Sequence, residues 1–90
     1  MRFEWDPKKA VANERKHGIP FQEAATIFND PLAITFTDPD HSVIELRYIT
    51  FGLSNQNRLI VVSHADREDG LRIISARLMT RRERRIYAEG

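Results

Sequence analysis

The stretch from Leu71 to Tyr87 limits what this chain can fold into more than any other. Leu71-Arg72-Ile73-Ile74-Ser75-Ala76-Arg77 is rich in β-branched and apolar residues and contains neither Gly nor Pro, which is the composition of a strand. After Leu78 and Met79, Thr80 and Glu83 supply a Ser/Thr-x-x-Glu capping box. In that motif the hydroxyl accepts from the third helical N–H and the carboxylate accepts from the cap N–H, so a helix starts at Arg81. Six arginines lie between Arg72 and Arg85, two on the strand and four on the helix. An arginine on a central strand is costly to desolvate and calls for a partner. The stretch therefore reads as half of an anion-binding surface, with a phosphate backbone as the expected anion.

The charge distribution points the same way. The formal net charge is +1, but residues 1–20 carry +2, residues 21–66 carry −4 and residues 67–90 carry +3. Every basic residue after Lys16, histidines aside, is arginine. Arginine keeps its charge and grips phosphate with a planar fork, which suits nucleic acid better than solubility alone requires. Cysteine is absent, which excludes disulfides and thiolate metal sites. The charged start Met1-Arg2-Phe3-Glu4-Trp5-Asp6 lacks the apolar segment of a signal peptide. No apolar run approaches the roughly 20 residues of a membrane span. These features lead us to expect one cytoplasmic domain over residues 1–90, with no membrane partner.

The remaining elements follow in order. Phe3-Glu4-Trp5 reads as a short edge strand, and Asp6-Pro7 as the cap and first residue of a helix that Gly18 ends. Lys9, Asn13 and Lys16 or His17 share one face of that helix, a candidate for binding. A second helix is predicted over Gln22 to Phe28, with Phe21, Ala24, Ala25 and Phe28 as core, and Asn29-Asp30-Pro31 breaks it. Leu32 to Thr37 alternates like a half-exposed strand. Asp38-Pro39-Asp40-His41-Ser42 is a polar turn rather than a metal site, because no second ligand cluster supports it. Three further strands are predicted over Glu45–Leu53, Leu59–Ala65 and Leu71–Arg77, joined by turns at Ser54–Arg58 and Asp66–Gly70. They read as an antiparallel meander, which gives an α+β sheet with helices.

Turns symmetric about Gln56 and Glu68 would set Leu53 opposite Leu59, Tyr48 opposite His64 and His64 opposite Arg72. One face would then line up Tyr48, His64 and Arg72. The other, with Ile49, Phe51, Val61 and Ile73 at its centre, would pack on the first two helices. The first trio suits RNA strand cleavage, in which the ribose 2′-oxygen attacks phosphorus and the 5′-oxygen leaves. Histidine can move a proton near neutral pH, arginine can hold the phosphorane, and tyrosine can donate a proton or stack a base. None of these steps needs a metal or another cofactor.

The sequence also resembles the BrnT toxins of type II toxin–antitoxin modules. The likeness runs through Phe3-Glu4-Trp5-Asp6-Pro7-Lys8-Lys9, Arg15-Lys16-His17-Gly18 and Phe28-Asn29-Asp30-Pro31. It closes on Arg72-Ile73-Ile74-Ser75-Ala76-Arg77 and Thr80-Arg81-Arg82-Glu83, followed by Tyr87. The resemblance implies a RelE-like fold, with two N-terminal helices on a mainly antiparallel sheet of four to five strands and a C-terminal helix. It implies RNA cleavage that arrests translation and neutralisation by a ribbon-helix-helix antitoxin. It implies toxin dimers within a heterotetramer that meets operator DNA only through the antitoxin.

On the residues, the expected catalytic set is His64, Arg72, Arg77, Tyr48 and Tyr87. The expected RNA-binding set is Arg47, Lys16, His17, Arg81, Arg84 and Arg85. The alternative is a regulator without enzymatic activity that reads nucleic acid with its basic C-terminal helix. It leaves the arginines of the last strand unexplained.

Overall fold

The structure, a computed structural model, describes residues 1–41 and 45–90; Ser42, the end of the predicted polar turn, lies outside them. Strand β1 (Arg2–Glu4) leads into helix α1 (Pro7–His17), then α2 (Phe21–Ala25), which tightens into a 3₁₀ turn over Thr26–Asn29. Strands β2 (Ile34–Thr37), β3 (Arg47–Leu53), β4 (Leu59–Arg67) and β5 (Gly70–Leu78) follow, then helix α3 (Arg81–Glu89). The five strands form one sheet in the order β1-β5-β4-β3-β2. β1 runs parallel to β5, and the other neighbours are antiparallel. The predicted meander and both capped helices are present, and the sheet is mixed only at its β1 edge.

Local chemistry fixes the helix ends. Asp6 caps α1 by accepting from the Lys8 N–H, and Gly18 closes it at φ 73°, a conformation costly for any residue with a Cβ. In α3 both halves of the capping box form: Thr80 accepts from the Glu83 N–H at 3.2 Å, and Glu83 accepts from the Thr80 N–H at 2.8 Å. Gly70 is required for a different reason. A Cβ there would lie 1.8 Å from the Arg2 carbonyl oxygen, so only glycine lets β1 come alongside β5.

The two faces of the sheet have separate cores. Ile19, Phe21, Ala24 and Ile27 pack on Ile60, Val62, Leu71, Ile73 and Ala76, which makes this the helix-covered face. On the other face Phe51, Val61 and Met79 form a smaller cluster with Ile49, Leu59 and Tyr87 beneath α3. The predicted assignment of faces is therefore reversed: Ile49, Phe51 and Val61 lie away from the first two helices, and Tyr48 and His64 lie under them. The prediction had no placement for α3, which supplies the apolar cover that the second face needs.

Asn13 belongs to the first core, and not to a solvent-facing binding stripe. It is 8% exposed, and its amide both donates to the Ala76 carbonyl (2.9 Å) and accepts from the Ala76 N–H (3.0 Å). A further bond runs to the Ile19 carbonyl at 3.1 Å. β1 pairs with β5 only as far as Arg72, so the side chain of Asn13 does for Ala76 what a strand would do. Asn13→Ala would leave buried backbone groups unpaired. It is expected to cost about 1–3 kcal/mol, read as a lower midpoint in urea at unchanged slope. A midpoint equal to that of the wild type would show that water replaces the amide at no cost.

A second polar tie fastens α2 to the β3–β4 turn. Buried Glu23 accepts from Arg58 Nε (2.9 Å) and Ser54 Oγ (2.7 Å), and Arg58 Nη2 donates both to Glu23 and to the Gly18 carbonyl. The Arg58 hydrogen bond holds the Glu23 carboxyl below its ordinary range although burial opposes it. No helix among the described residues is long and apolar enough to cross a membrane.

Candidate nucleic-acid interface

The site is set by one extra residue. The β4–β5 hairpin turns on Glu68 and Asp69 alone, with Arg67 opposite Gly70, so the pairing is one residue off the predicted symmetry. Ala65, and not His64, stands opposite Arg72. Higher up, His64 pairs with Ile73 but Ser63 pairs with Ser75, which leaves Ile74 as a β-bulge. The bulge reverses the alternation along β5. Leu71 and Ile73 below it and Ala76 above it all enter the helix-covered core. Arg72, Ser75 and Arg77 consequently share the other face. A strictly alternating strand would have buried one of the two arginines.

Three rows of side chains cross this open face. The first runs Glu4, Arg72, Ala65, Arg47; the second Ser75, Ser63, Ile49, Phe36; the third Arg77, Val61, Phe51, Ile34. Arg72 and Arg47 are two strand spacings apart, about 10 Å. Tyr87 of α3 and Met79 just before it cover the third row, their cluster reaches the second row at Ile49, and the first row lies clear of it.

The arginines differ in how they are held. Arg77 donates from both terminal nitrogens to Glu83, at 2.7 and 2.9 Å, which ties the end of β5 to the start of α3. This bond, with the Thr80 N–H assisting and burial opposing, holds the Glu83 carboxyl down to about 2. The pair therefore stays ionised at every physiological pH and loosens only in strong acid. Arg47 lies 3.4 Å from Glu45, and Arg67 lies 3.7 Å from Glu4 and 3.6 Å from Glu45. Arg72 has no hydrogen bond or ion pair among the described residues, and it is half-buried. It is the guanidinium on this face whose fork is unoccupied.

The predicted proton carriers are placed elsewhere or engaged. His64 is 4% exposed, with Nε2 2.7 Å from the Thr50 hydroxyl, which meets Thr35 at 2.8 Å. Phe28 stands edge-on to its ring at 5.0 Å, and Tyr48 stacks on it at 5.8 Å. Burial lowers the pKa of His64 although Asp66 nearby opposes the shift, so the ring is neutral. The predicted line of Tyr48, His64 and Arg72 is thus corrected: the first two are neighbours inside the helix-covered face, and Arg72 is on the other side of the sheet.

Tyr87 is on the arginines' side, but its hydroxyl donates to Asp30 at 2.6 Å. That bond, aided by burial, pushes its pKa up to about 12. Asp30 also accepts from the Leu32 and Leu53 N–H groups, and these bonds with that of Tyr87 outweigh burial in keeping it ionised. Tyr87 therefore anchors α3 to the sheet. Lys16 and His17 end α1 on the helix-covered side, away from the three rows. Arg81, Arg84 and Arg85 are exposed along α3, as is Arg82.

The sequence reading missed Ser63, Ser75, Arg67 and Phe36, and the clamp by Asn13. The legible signal was the spacing of the buried positions Leu71, Ile73 and Ala76, which breaks a period of two once.

The family described as "Ribonuclease toxin, BrnT, of type II toxin-antitoxin system" matches residues 5–83. The chain belongs to the BrnT toxin family. Among solved structures, the ribonuclease toxin BrnT of Brucella abortus is similar, at 26% identity and a TM-score of 0.68. The match covers 90% of this chain and 99% of the Brucella one. No curated protein matches the chain. The span matched by the BrnT family contains Arg47, Arg72, Arg77 and Glu83, and ends before Arg84, Arg85 and Tyr87.

Proposed function

We propose that the chain is an RNA endonuclease that works without a metal ion, and that the open face of the sheet is its substrate surface. The observation that carries this reading is the bulge at Ile74, which sets Arg72 and Arg77 on one face. In the reaction the ribose 2′-oxygen bonds to the adjacent phosphorus and the bond to the 5′-oxygen breaks, leaving a 2′,3′-cyclic phosphate and a 5′-hydroxyl. Arg72 meets the non-bridging oxygens with its open fork, and Arg77 adds charge from a position fixed by Glu83. Arg47 and the exposed arginines of α3 hold the flanking backbone. Protons pass to and from water, since His64, Tyr48, His17 and Tyr87 offer no free group on this face. Tyr87 keeps α3 in place.

In the cell, this activity would arrest translation in the cytoplasm. A ribbon-helix-helix antitoxin would hold it in check within a heterotetramer containing two toxin chains, and operator DNA would be met through the antitoxin. The support for this wider role is membership of the BrnT family. The region 1–90 would act as one toxin domain.

The test is incubation of the purified chain with end-labelled RNA in EDTA. Cleavage should persist and yield cyclic or 3′-phosphate ends. Its rate should rise with pH without an inflection near 6.5, because no histidine takes part. Activity lost on chelation and restored by Mg²⁺ would overturn the mechanism. RNA binding without cleavage would favour the rival regulator.

A further inference from the structure

We infer that Ser63 and Ser75 form the seat for one phosphate group of the RNA strand, between the two arginines of β5. The inference rests on the reading of the open face as the RNA surface. The two residues stand directly opposite each other on β4 and β5, in the row between that of Arg72 and that of Arg77. Both are half-buried, and neither hydroxyl has a hydrogen-bond partner among the described residues. By contrast Thr26, Thr50, Ser54 and Tyr87, also buried or half-buried, all make side-chain hydrogen bonds. The two serines and Arg72 are donors left open together in one place.

Their geometry suits a phosphate. Residues directly opposite in an antiparallel pair have Cβ atoms about 4.5–5.5 Å apart. Two hydroxyls on such positions can each donate to a different oxygen of one phosphate, at the usual 2.7–2.8 Å. The bulge is what makes the pair. Without Ile74 as an extra residue, Ser75 would turn to the helix-covered face and an apolar side chain would stand opposite Ser63. Ala65 beside Arg72 adds little bulk, and the cluster under α3 enters this row at Ile49, beyond Ser63 and two strands from Ser75. The row continues into Ile49 and Phe36, the latter 41% exposed.

Threonine and valine provide the decisive pair of substitutions at each site. Both are β-branched and of nearly equal volume, both suit a strand, and only threonine keeps the hydroxyl. The probe is a single-stranded RNA oligonucleotide with 2′-deoxy substitution at the cleavage position for binding, and its all-ribose form for cleavage, both with the full chain. Ser63→Val and Ser75→Val should each weaken binding about tenfold relative to Ser63→Thr and Ser75→Thr, with the loss in KM rather than kcat. Tenfold corresponds to about 1.4 kcal/mol, close to the lower end of the roughly 1.5–3 kcal/mol of a hydrogen bond to a charged group. A purely structural role would move the melting temperature and leave the affinities of each Thr/Val pair alike. If each Val variant binds as tightly as its Thr counterpart while the wild type cleaves RNA, the seat is overturned and the RNA surface stands. If the wild type neither binds nor cleaves RNA, both fall together.

Discussion

Arg72→Ala is expected to leave the fold intact and to lower RNA cleavage by about 10²- to 10³-fold, the usual loss when one donor to developing negative charge is removed. The fold should survive because Arg72 makes no hydrogen bond or ion pair among the described residues, and its strand neighbours Leu71 and Ile73 hold the core without it. Arg72→Lys should recover only part of the loss, since an ammonium keeps the charge but not the fork. Arg77 gives a less clean comparison. It also anchors Glu83 and with it the cap of α3, so Arg77→Ala mixes lost electrostatics with a loosened helix. Single-turnover cleavage at saturating protein, beside a thermal melt, separates the two effects. A folded Arg72→Ala that cleaves within threefold of the wild type would remove this residue from the reaction.

His64→Ala should do the reverse, costing about 2–4 kcal/mol in unfolding free energy while the folded protein still cuts RNA. The ring fills a site between Phe28, Tyr48 and Ile73, and the Thr50 hydroxyl would lose its partner. Cavity and lost hydrogen bond together give that magnitude. The sign of the pH dependence follows from the ring's neutrality. Its pKa is lower in the folded state than in the unfolded chain, so below about 6.5 the unfolded state takes up a proton that the folded state refuses. Its contribution to stability is therefore lost as pH falls, and His64→Gln should flatten that limb of the curve. The facing groups Phe28, Tyr48, Thr50 and Ile73 are uncharged, and Asp66 is the charge that acts on the ring. A cleavage rate that collapses in a folded His64→Gln would return the histidine to the chemistry.

The helix signals were legible because each is local. Asp6-Pro7, Gly18 and the Thr80–Glu83 box concern backbone groups within one turn, and the structure has all of them in place. The meander and the pairs Leu53 with Leu59 and Tyr48 with His64 were equally readable, from turn residues and alternation. What failed was parity beyond Arg67. A symmetric five-residue turn and the observed two-residue turn differ by one position, and one position inverts a face. Composition could not arbitrate, since Ile49, Phe51 and Val61 are as apolar as Ile60 and Val62. Both faces have a helical cover, one from α1 and α2 and one from α3. Counting by twos also assigns no cost to desolvating a guanidinium. The chain avoids that cost with one extra residue, and the face that Arg72 shares with Arg77 is a product of that choice.

Asn13 has a consequence for how this sheet meets other chains. An unpaired strand edge is a template on which a foreign strand can add, and long open edges invite aggregation. Beyond Arg72 the outer side of β5 would be such an edge, but the amide of Asn13 occupies the N–H and carbonyl of Ala76 in its middle. The remaining edges are β1, with three residues, and β2, with four, the latter bracketed by Pro31 and Pro39. A protein with a five-stranded sheet thus offers little open ladder, and a single asparagine on a wet helix guards the longest exposed stretch of it.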